Sequence, residues 1–259
     1  MASAPRAAGP PPPALFLTEP VRAAAEWSAF AAAFPVLAAT LPRGDGHPVL
    51  VLPGFIASDR STVPLRRLLR RLGYHVHGWR LGRNLGPTPE LVGGLGDRFR
   101  ELADRHGRPI SLVGWSLGGV YARELARRAP GATRVVVTLG SPFRLRDPRM
   151  SSIGALWAGT PASRAHPARH LEPEERRPRL PVPVTAVYTR GDGVVRWQLC
   201  VEDDGPRHES VEVRGSHSGL GCNIQAVRVI ADRLAQPEGT WAPYRQAGDA
   251  SDRGGRRPR

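Results

Sequence analysis

The stretch PISLVGWSLGGVYARELARR, residues 109–128, decides the fold. Its first residues form an apolar run of strand length, and its last twelve follow a helical period. Between them, Gly114-Trp115-Ser116-Leu117-Gly118 matches the pattern G-x-S-x-G. This pattern is typical of a sharp strand-to-helix turn that exposes a serine hydroxyl, and its glycines leave room for the turn. Ser116 is therefore the candidate nucleophile. The alternative is a glycine-rich turn whose serine only caps the helix.

Further apolar runs of strand length lie on both sides of this motif, at residues 48–53, 74–79, 134–139, 182–188 and 210–213. Segments of helical period separate them, at residues 65–72, 88–102, 117–128 and 224–234. Strands that alternate with helices through short connections require right-handed crossovers and parallel pairing. The sequence therefore predicts an α/β fold with a mostly parallel central sheet flanked by helices.

A serine hydroxyl needs a base, and the base needs a group that orients it. When the serine lies on this kind of strand-to-helix turn, the carboxylate follows it along the chain and the histidine comes last. Asp192 lies in TRGDG, directly after the predicted strand 182–188, and His217 lies in GSHSG after the last predicted strand. We predict these two residues as the acid and the base. The alternatives are an ordinary Asp-Gly turn and a surface histidine, and Asp203 and Asp204 are reserve candidates for the acid.

Two backbone donors are expected to bind the oxyanion of an acyl intermediate. We predict the N–H of Leu117, directly after the serine, and the N–H of Phe55, in the loop after the first strand. Trp115 and Trp157 are the candidate substrate-binding residues. Trp157 lies in the one apolar group of a Pro- and Arg-rich insertion, residues 142–181. This insertion is expected to form a cap or lid; the alternative is an irregular loop whose apolar group packs permanently into the core.

Length and composition fit one globular domain of 259 residues. The formal net charge is +14, but all 37 basic residues are Arg and they are dispersed along the chain. This dispersion indicates solvated helix faces, so no nucleic-acid partner is expected. Cys200 and Cys222 do not form a CxxC pair, so no metal site is expected. They are compatible with one disulfide or with two free thiols.

The ends of the chain differ in composition from its centre. Residues 1–20 and 242–259 are rich in Pro, Gly, Arg and Ala, and we expect two disordered tails around a domain at 21–241. Residues 23–41 predict a helix with one apolar face, which either packs on the domain or touches lipid. We expect no membrane-spanning segment and no secretory signal, and hence a cytoplasmic protein, with peripheral membrane contact as an open alternative.

Six segments in order resemble bacterial α/β-hydrolases of the lipase and esterase type. They are PVLVLPGF (48–55), LGRNLGPT (81–88), SLVGWSLGGVYARELARR (111–128), TLGSPF (138–143), YTRGDGVV (188–195) and GSHSGLGCN (215–223). The resemblance spans about residues 48–235. It implies the α/β-hydrolase fold and cleavage of a small-molecule or lipid ester without a cofactor. Acyl transfer and a non-catalytic binding role remain alternatives. Pro53 stands where many lipases have a histidine, which leaves the second oxyanion donor open.

Overall fold

The computed structural model describes residues 9–160, 174 and 177–245. Its six strands pair in parallel in the order β2-β1-β3-β4-β5-β6. The strands are β1 (Pro48–Leu52), β2 (His75–Gly78), β3 (Ile110–Trp115), β4 (Thr133–Leu139), β5 (Val184–Tyr188) and β6 (His208–Glu212). The helices are α1 (Pro13–Thr40), α2 (Val63–Arg71), α3 (Pro89–His106), α4 (Leu117–Arg128), α5 (Gly154–Ala158) and α6 (Ile224–Ala235). The predicted fold class is confirmed.

Helices cover both faces of the sheet, because alternate residues of each strand point to opposite sides. In β1, Val49 and Val51 pack in the core formed with α1, α2 and α6. Leu50 and Leu52 pack in the second core, formed with α3 and α4. All strands run in the same direction, so the loops after β3, β5 and β6 meet at the carboxyl edge of the sheet.

Helix α1 corrects the predicted boundary of the N-terminal tail. It begins at Pro13, so residues 13–20 belong to the folded domain. Pro13 is tolerated because the first helical N–H has no partner within the helix. By length and hydropathy α1 is apolar enough to cross a membrane, which was not expected from the sequence. In the structure, however, its charged side chains bind loops of the domain, as described below.

Two other predicted boundaries involve segments that the structure describes only in part. Residues 1–8, 161–173, 175–176 and 246–259, which include parts of both predicted tails and of the insertion, lie outside the described residues. Within the predicted C-terminal tail, the N–H of Tyr244 donates to Glu209 at 2.7 Å, so the start of that tail contacts the domain. The insertion is held at Glu174, which pairs with Arg123 and Arg127 of α4.

Candidate active site

The turn between β3 and α4 places Ser116 at the carboxyl edge of the sheet. Ser116 has φ 53° and ψ −122°, a backbone conformation that costs about 1–3 kcal/mol in a non-glycine residue. The glycines around it allow the close packing of this turn: a Cβ at Gly118 would collide with the backbone of Leu52 and Pro53. The turn therefore packs closely on the end of β1, and Ser116 is 9% exposed.

Asp192 and His217 meet in a buried hydrogen bond. His217 Nδ1 lies 2.6 Å from Asp192 Oδ2, and both residues are less than a tenth exposed. The other carboxylate oxygen of Asp192 accepts the N–H groups of Val194 and Val195, each at 2.8 Å. Asp192 is thus fixed by its own loop and leaves one oxygen for the imidazole. Asp203, a reserve candidate, is exposed and pairs with Arg144 instead.

The electrostatic environment of His217 favours the charged imidazolium. Burial lowers the pKa of His217, but the negative charges of Asp192 and Glu19, with the hydrogen bond to Asp192, outweigh burial and raise it. The neutral ring is therefore a stronger base than an isolated histidine. A general base must be neutral before it takes a proton from a hydroxyl, and a raised pKa makes it hold that proton more strongly.

Backbone contacts connect Ser116 to the buried pair. The N–H of Ser116 donates to the carbonyl of Leu139 at 2.8 Å, at the end of β4. The next residue, Gly140, has φ +53°, and a Cβ there would lie 3.1 Å from His217 Nδ1 and 3.3 Å from Asp192 Oδ2. The fold therefore brings the three sequence-predicted residues to one edge of the sheet, around Gly140.

The loop after β1 lies beside Ser116. A Cβ at Gly54 would lie 3.2 Å from the Cβ of Ser116, so the backbone of this loop approaches the serine closely. The N–H of Ile56 donates to Asn84, whereas within the described ranges the N–H of Phe55 has no protein acceptor. Leu117 is the first residue of α4, where the N–H has no intrahelical acceptor. Both predicted oxyanion donors thus flank the serine.

Asn84 shapes this loop, and the sequence analysis did not single it out. Its buried side-chain amide donates to the carbonyl of Pro53 at 2.9 Å, and its backbone bonds to Ile56 and Ala57. The side-chain oxygen of Asn84 accepts from the hydroxyl of Tyr121 on α4. Only the segment 81–88 quoted above for its family resemblance contained a signal for this role.

The two predicted substrate-binding tryptophans lie in different surroundings. Trp115 donates its indole N–H to the carbonyl of His217 at 3.0 Å, so it holds the histidine loop. Trp157, on α5 of the insertion, packs on Phe55 with ring centroids 5.0 Å apart. Ile153 packs in a small cluster with Val194, whereas Leu156 of the same apolar group is exposed. A substrate-binding role for either tryptophan remains a prediction.

No protein-family model matches the sequence, and no curated protein matches it. Solved structures do resemble it. Lipase B of Aspergillus fumigatus has a TM-score of 0.59 and 15% identity over 77% of this chain and 55% of that one. Lipase BlEst2 of Bacillus licheniformis has a TM-score of 0.54 and 16% identity over 75% and 94%. A candidate non-heme bromoperoxidase, BpoC of Mycobacterium tuberculosis, has a TM-score of 0.52 and 18% identity over 74% and 92%.

The chain has the α/β-hydrolase fold. At these identities the likeness establishes the fold alone, because one fold carries many reactions. The reaction of this chain therefore has to be inferred from the side chains of its own site.

The loops that carry Asp192 and His217 are held from outside by α1. Glu19 accepts the N–H groups of Gly193, His217 and Ser218, each at 2.9 Å. Burial raises the pKa of Glu19, but these three donors and the charge of His217 outweigh it and lower the pKa. Glu19 is therefore a buried carboxylate with filled acceptor sites.

Two further charged residues of α1 complete this contact. Arg22 donates to the carbonyls of Gly191 and Gly215, at 2.7 and 3.2 Å. Glu26 accepts the N–H and hydroxyl of Ser216, each at 2.7 Å. Sequence reasoning missed these contacts, although spacings of three and four residues place all three charges on one helix face.

Cys200 and Cys222 are both buried free thiols. Burial raises the pKa of Cys222 to about 12, and that of Cys200 also rises, so both stay protonated near neutral pH. Among the described residues, no group of three or more His, Cys, Asp and Glu side chains is arranged to hold a metal ion.

Proposed function

We propose that this chain is a serine hydrolase that cleaves carboxylic esters through an acyl-enzyme on Ser116. The observation that carries this proposal is the buried hydrogen bond between His217 and Asp192 beside the strained turn that holds Ser116. A strained serine and an imidazole oriented by a buried carboxylate, on loops at the same edge of the sheet, are the groups from which an activated hydroxyl is built. A turn with only a structural role gains nothing from that strain.

The proposed reaction has two halves. In the first, His217 takes the proton of the Ser116 hydroxyl while the oxygen bonds to the ester carbonyl carbon, and the negative charge moves to the carbonyl oxygen. The N–H groups of Leu117 and Phe55 stabilise this oxyanion. Collapse breaks the bond to the alcohol oxygen, which receives the proton from His217. In the second half, water repeats these steps, so the acid leaves and Ser116 is restored.

Asp192 acts through the imidazole in both halves. Its carboxylate keeps the proton of the ring on Nδ1, which leaves Nε2 free to accept the serine proton. It also stabilises the imidazolium that forms during each half-reaction. The two N–H groups that bind its other oxygen prevent the carboxylate from rotating away.

The acyl chain is proposed to lie near Trp157. This indole packs on Phe55, whose N–H is a proposed oxyanion donor. A flat apolar surface next to the oxyanion site fits the hydrocarbon part of an ester.

The proposal is tested by labelling the full chain with a fluorophosphonate and measuring intact mass. One label is expected on the native chain and none on Ser116→Ala. Turnover of p-nitrophenyl esters of graded chain length should be lost in the same variant. A label that persists in Ser116→Ala, or no label on the folded native chain, contradicts the proposal. Added alcohols distinguish acyl transfer from hydrolysis, because a transferase forms the new ester faster than the free acid.

A further inference from the structure

Seven large apolar side chains lie exposed in the described structure. Four of them are on α1: Phe16, Leu17, Val21 and Val36. The other three, Ile56, Leu85 and Leu156, lie on three separate segments. Exposed apolar side chains that gather at one site indicate a contact surface, whereas scattered ones are ordinary.

The three separate segments meet at the proposed site. Ile56 follows Phe55, and its N–H donates to Asn84, the residue before Leu85. Leu156 precedes Trp157, which packs on Phe55. Ile56, Leu85 and Leu156 therefore lie on the three segments that meet at the proposed oxyanion loop.

The first turns of α1 reach the same edge of the sheet. Gly193, next to Asp192, lies so close to α1 that a Cβ there would be 2.5 Å from the backbone of Leu15. The carbonyl of Gly193 also accepts the hydroxyl of Ser152, two residues before α5. Phe16 and Leu17 thus follow the residue of α1 that lies against the Asp192 loop, and that loop also contacts the segment just before α5. Val36 lies at the other end of α1, about 28 Å away along the helix axis.

The outward face of α1 has no charged residue. Its three charged side chains, Glu19, Arg22 and Glu26, all bind the loops of the site on the inward side. Yet 23% of the whole chain is charged, and Leu17 and Val21 are 76% and 75% exposed. A helix that faces water normally carries its charged residues on the exposed face. Helix α1 instead has its charged residues on the inward face and apolar residues on the exposed face.

Positive charge borders this apolar edge. Arg60, Arg80 and Arg83 are exposed on the loops that carry Ile56 and Leu85. In the part of the chain that the structure describes, none of the three forms an ion pair. Unpaired guanidinium groups beside apolar side chains suit a surface that has hydrocarbon inside and phosphate outside.

We propose that this edge docks on an anionic lipid bilayer. The docking face consists of Phe16, Leu17, Val21, Ile56, Leu85 and Leu156, with the three bordering arginines. The apolar side chains enter the boundary between head groups and acyl chains, and the arginines bind phosphates. The choice of a bilayer over a protein rests on the proposed function, because a protein seated here would cover the site, whereas a bilayer delivers ester lipids to it.

The test is co-sedimentation of the full chain, as Ser116→Ala, with vesicles of phosphatidylcholine alone or mixed with phosphatidylglycerol. Binding is expected with the mixed vesicles and should weaken at high salt. Leu17→Ser combined with Leu156→Ser should reduce partitioning roughly tenfold or more. Val36→Ser is the matched control, being 60% exposed on the same helix but at the far end, and should bind as the parent does.

A second pair of variants separates a local charge effect from the net charge of the chain. Arg60→Gln with Arg83→Gln should weaken binding to mixed vesicles more than Arg67→Gln with Arg71→Gln, two exposed arginines of α2. Equal losses in the two arginine pairs overturn the proposal, as do equal losses in Val36→Ser and the leucine variant. Equal binding to both vesicle types, no binding, or a vesicle-free dimer that Leu17→Ser dissociates also overturns it. Because Ser116→Ala is used, vesicle binding stands or falls separately from Ser116 labelling.

Discussion

Replacing Glu19 should damage the site although Glu19 lies on a helix that precedes the sheet. In Glu19→Ala, the N–H groups of Gly193, His217 and Ser218 lose their acceptor. Each buried donor left without a partner costs about 1–3 kcal/mol. The free energy of unfolding should therefore fall by about 3 kcal/mol or more, which lowers Tm by roughly 6–12 °C in a domain of this size.

The activity of Glu19→Ala should also fall, because the imidazole of His217 is no longer held in position. The His217 N–H is one of the three donors, so its loop is free to move when the carboxylate is removed. A displacement of about 1 Å costs on the order of a hundredfold in rate, and kcat/KM of Glu19→Ala should fall by roughly ten- to a hundredfold. Glu19→Gln keeps one oxygen for Gly193 and His217 and should recover most of this loss.

The pH profile distinguishes a positioning residue from a merely structural one. The charge of Glu19 helps to raise the pKa of His217. His217 must be neutral to act as base, so kcat/KM falls on the acid side as the ring is protonated. Glu19→Gln removes the charge, lowers the pKa of His217, and should move the acid limb to lower pH.

Glu26→Ala is the matched control. Glu26 also lies on α1 and accepts three hydrogen bonds, but from Ser216 and Asn223. It should cost similar stability and leave the acid limb where it is. If Glu19→Gln does not move the limb, or if Glu19→Ala loses no more activity than Glu26→Ala at equal Tm loss, Glu19 does not position His217.

Three further predictions follow from the site and the core. Asp192→Asn should lower kcat by roughly ten-thousandfold with Tm nearly unchanged, because the ring loses its orientation; full activity in this variant, with loss in Asp203→Asn, would move the acid role. Trp157→Ala should reduce kcat/KM for long-chain esters more than for acetates, with Trp157→Phe intermediate; equal losses across chain lengths, or losses that follow Tm, would show a packing role only. Burial lowers the pKa of His47 to about 4 from 6.5, so the unfolded chain takes up the proton first, and stability should fall by roughly 3 kcal/mol as pH drops from 6.5 to 4. Urea unfolding at both pH values checks this, and His47→Gln should flatten the dependence.

Much of the sheet could be predicted because its elements have local signals. A buried parallel strand such as β1 is a short apolar run, and the turn at Ser116 requires glycines at fixed positions whatever the rest of the chain does. Boundaries were less exact: β6 begins at His208, two residues before the predicted strand, because a polar residue at a strand end leaves no periodic signal.

The candidate site divides in the same way. The order of Ser116, Asp192 and His217, each in a loop that follows a strand, was readable, since parallel strands carry their following loops to one edge. The hydrogen bond between Asp192 and His217 is a fact of the tertiary structure. Their catalytic roles remain predictions. Asn84 was missed because its partner, Pro53, is 31 residues away and no spacing rule connects them.

Helix α1 shows what only the tertiary structure decided. The prolines near residue 13 indicated a tail, and Glu19 fell within its predicted bounds, residues 1–20. The sequence determined that this segment has an apolar helical period, because periodicity is a local property. Which face turns inward was decided by donors nearly 200 residues further along the chain, the N–H groups of His217 and Ser218. A buried carboxylate is stable only where distant backbone groups fill its acceptor sites, and no local pattern records where those groups will lie.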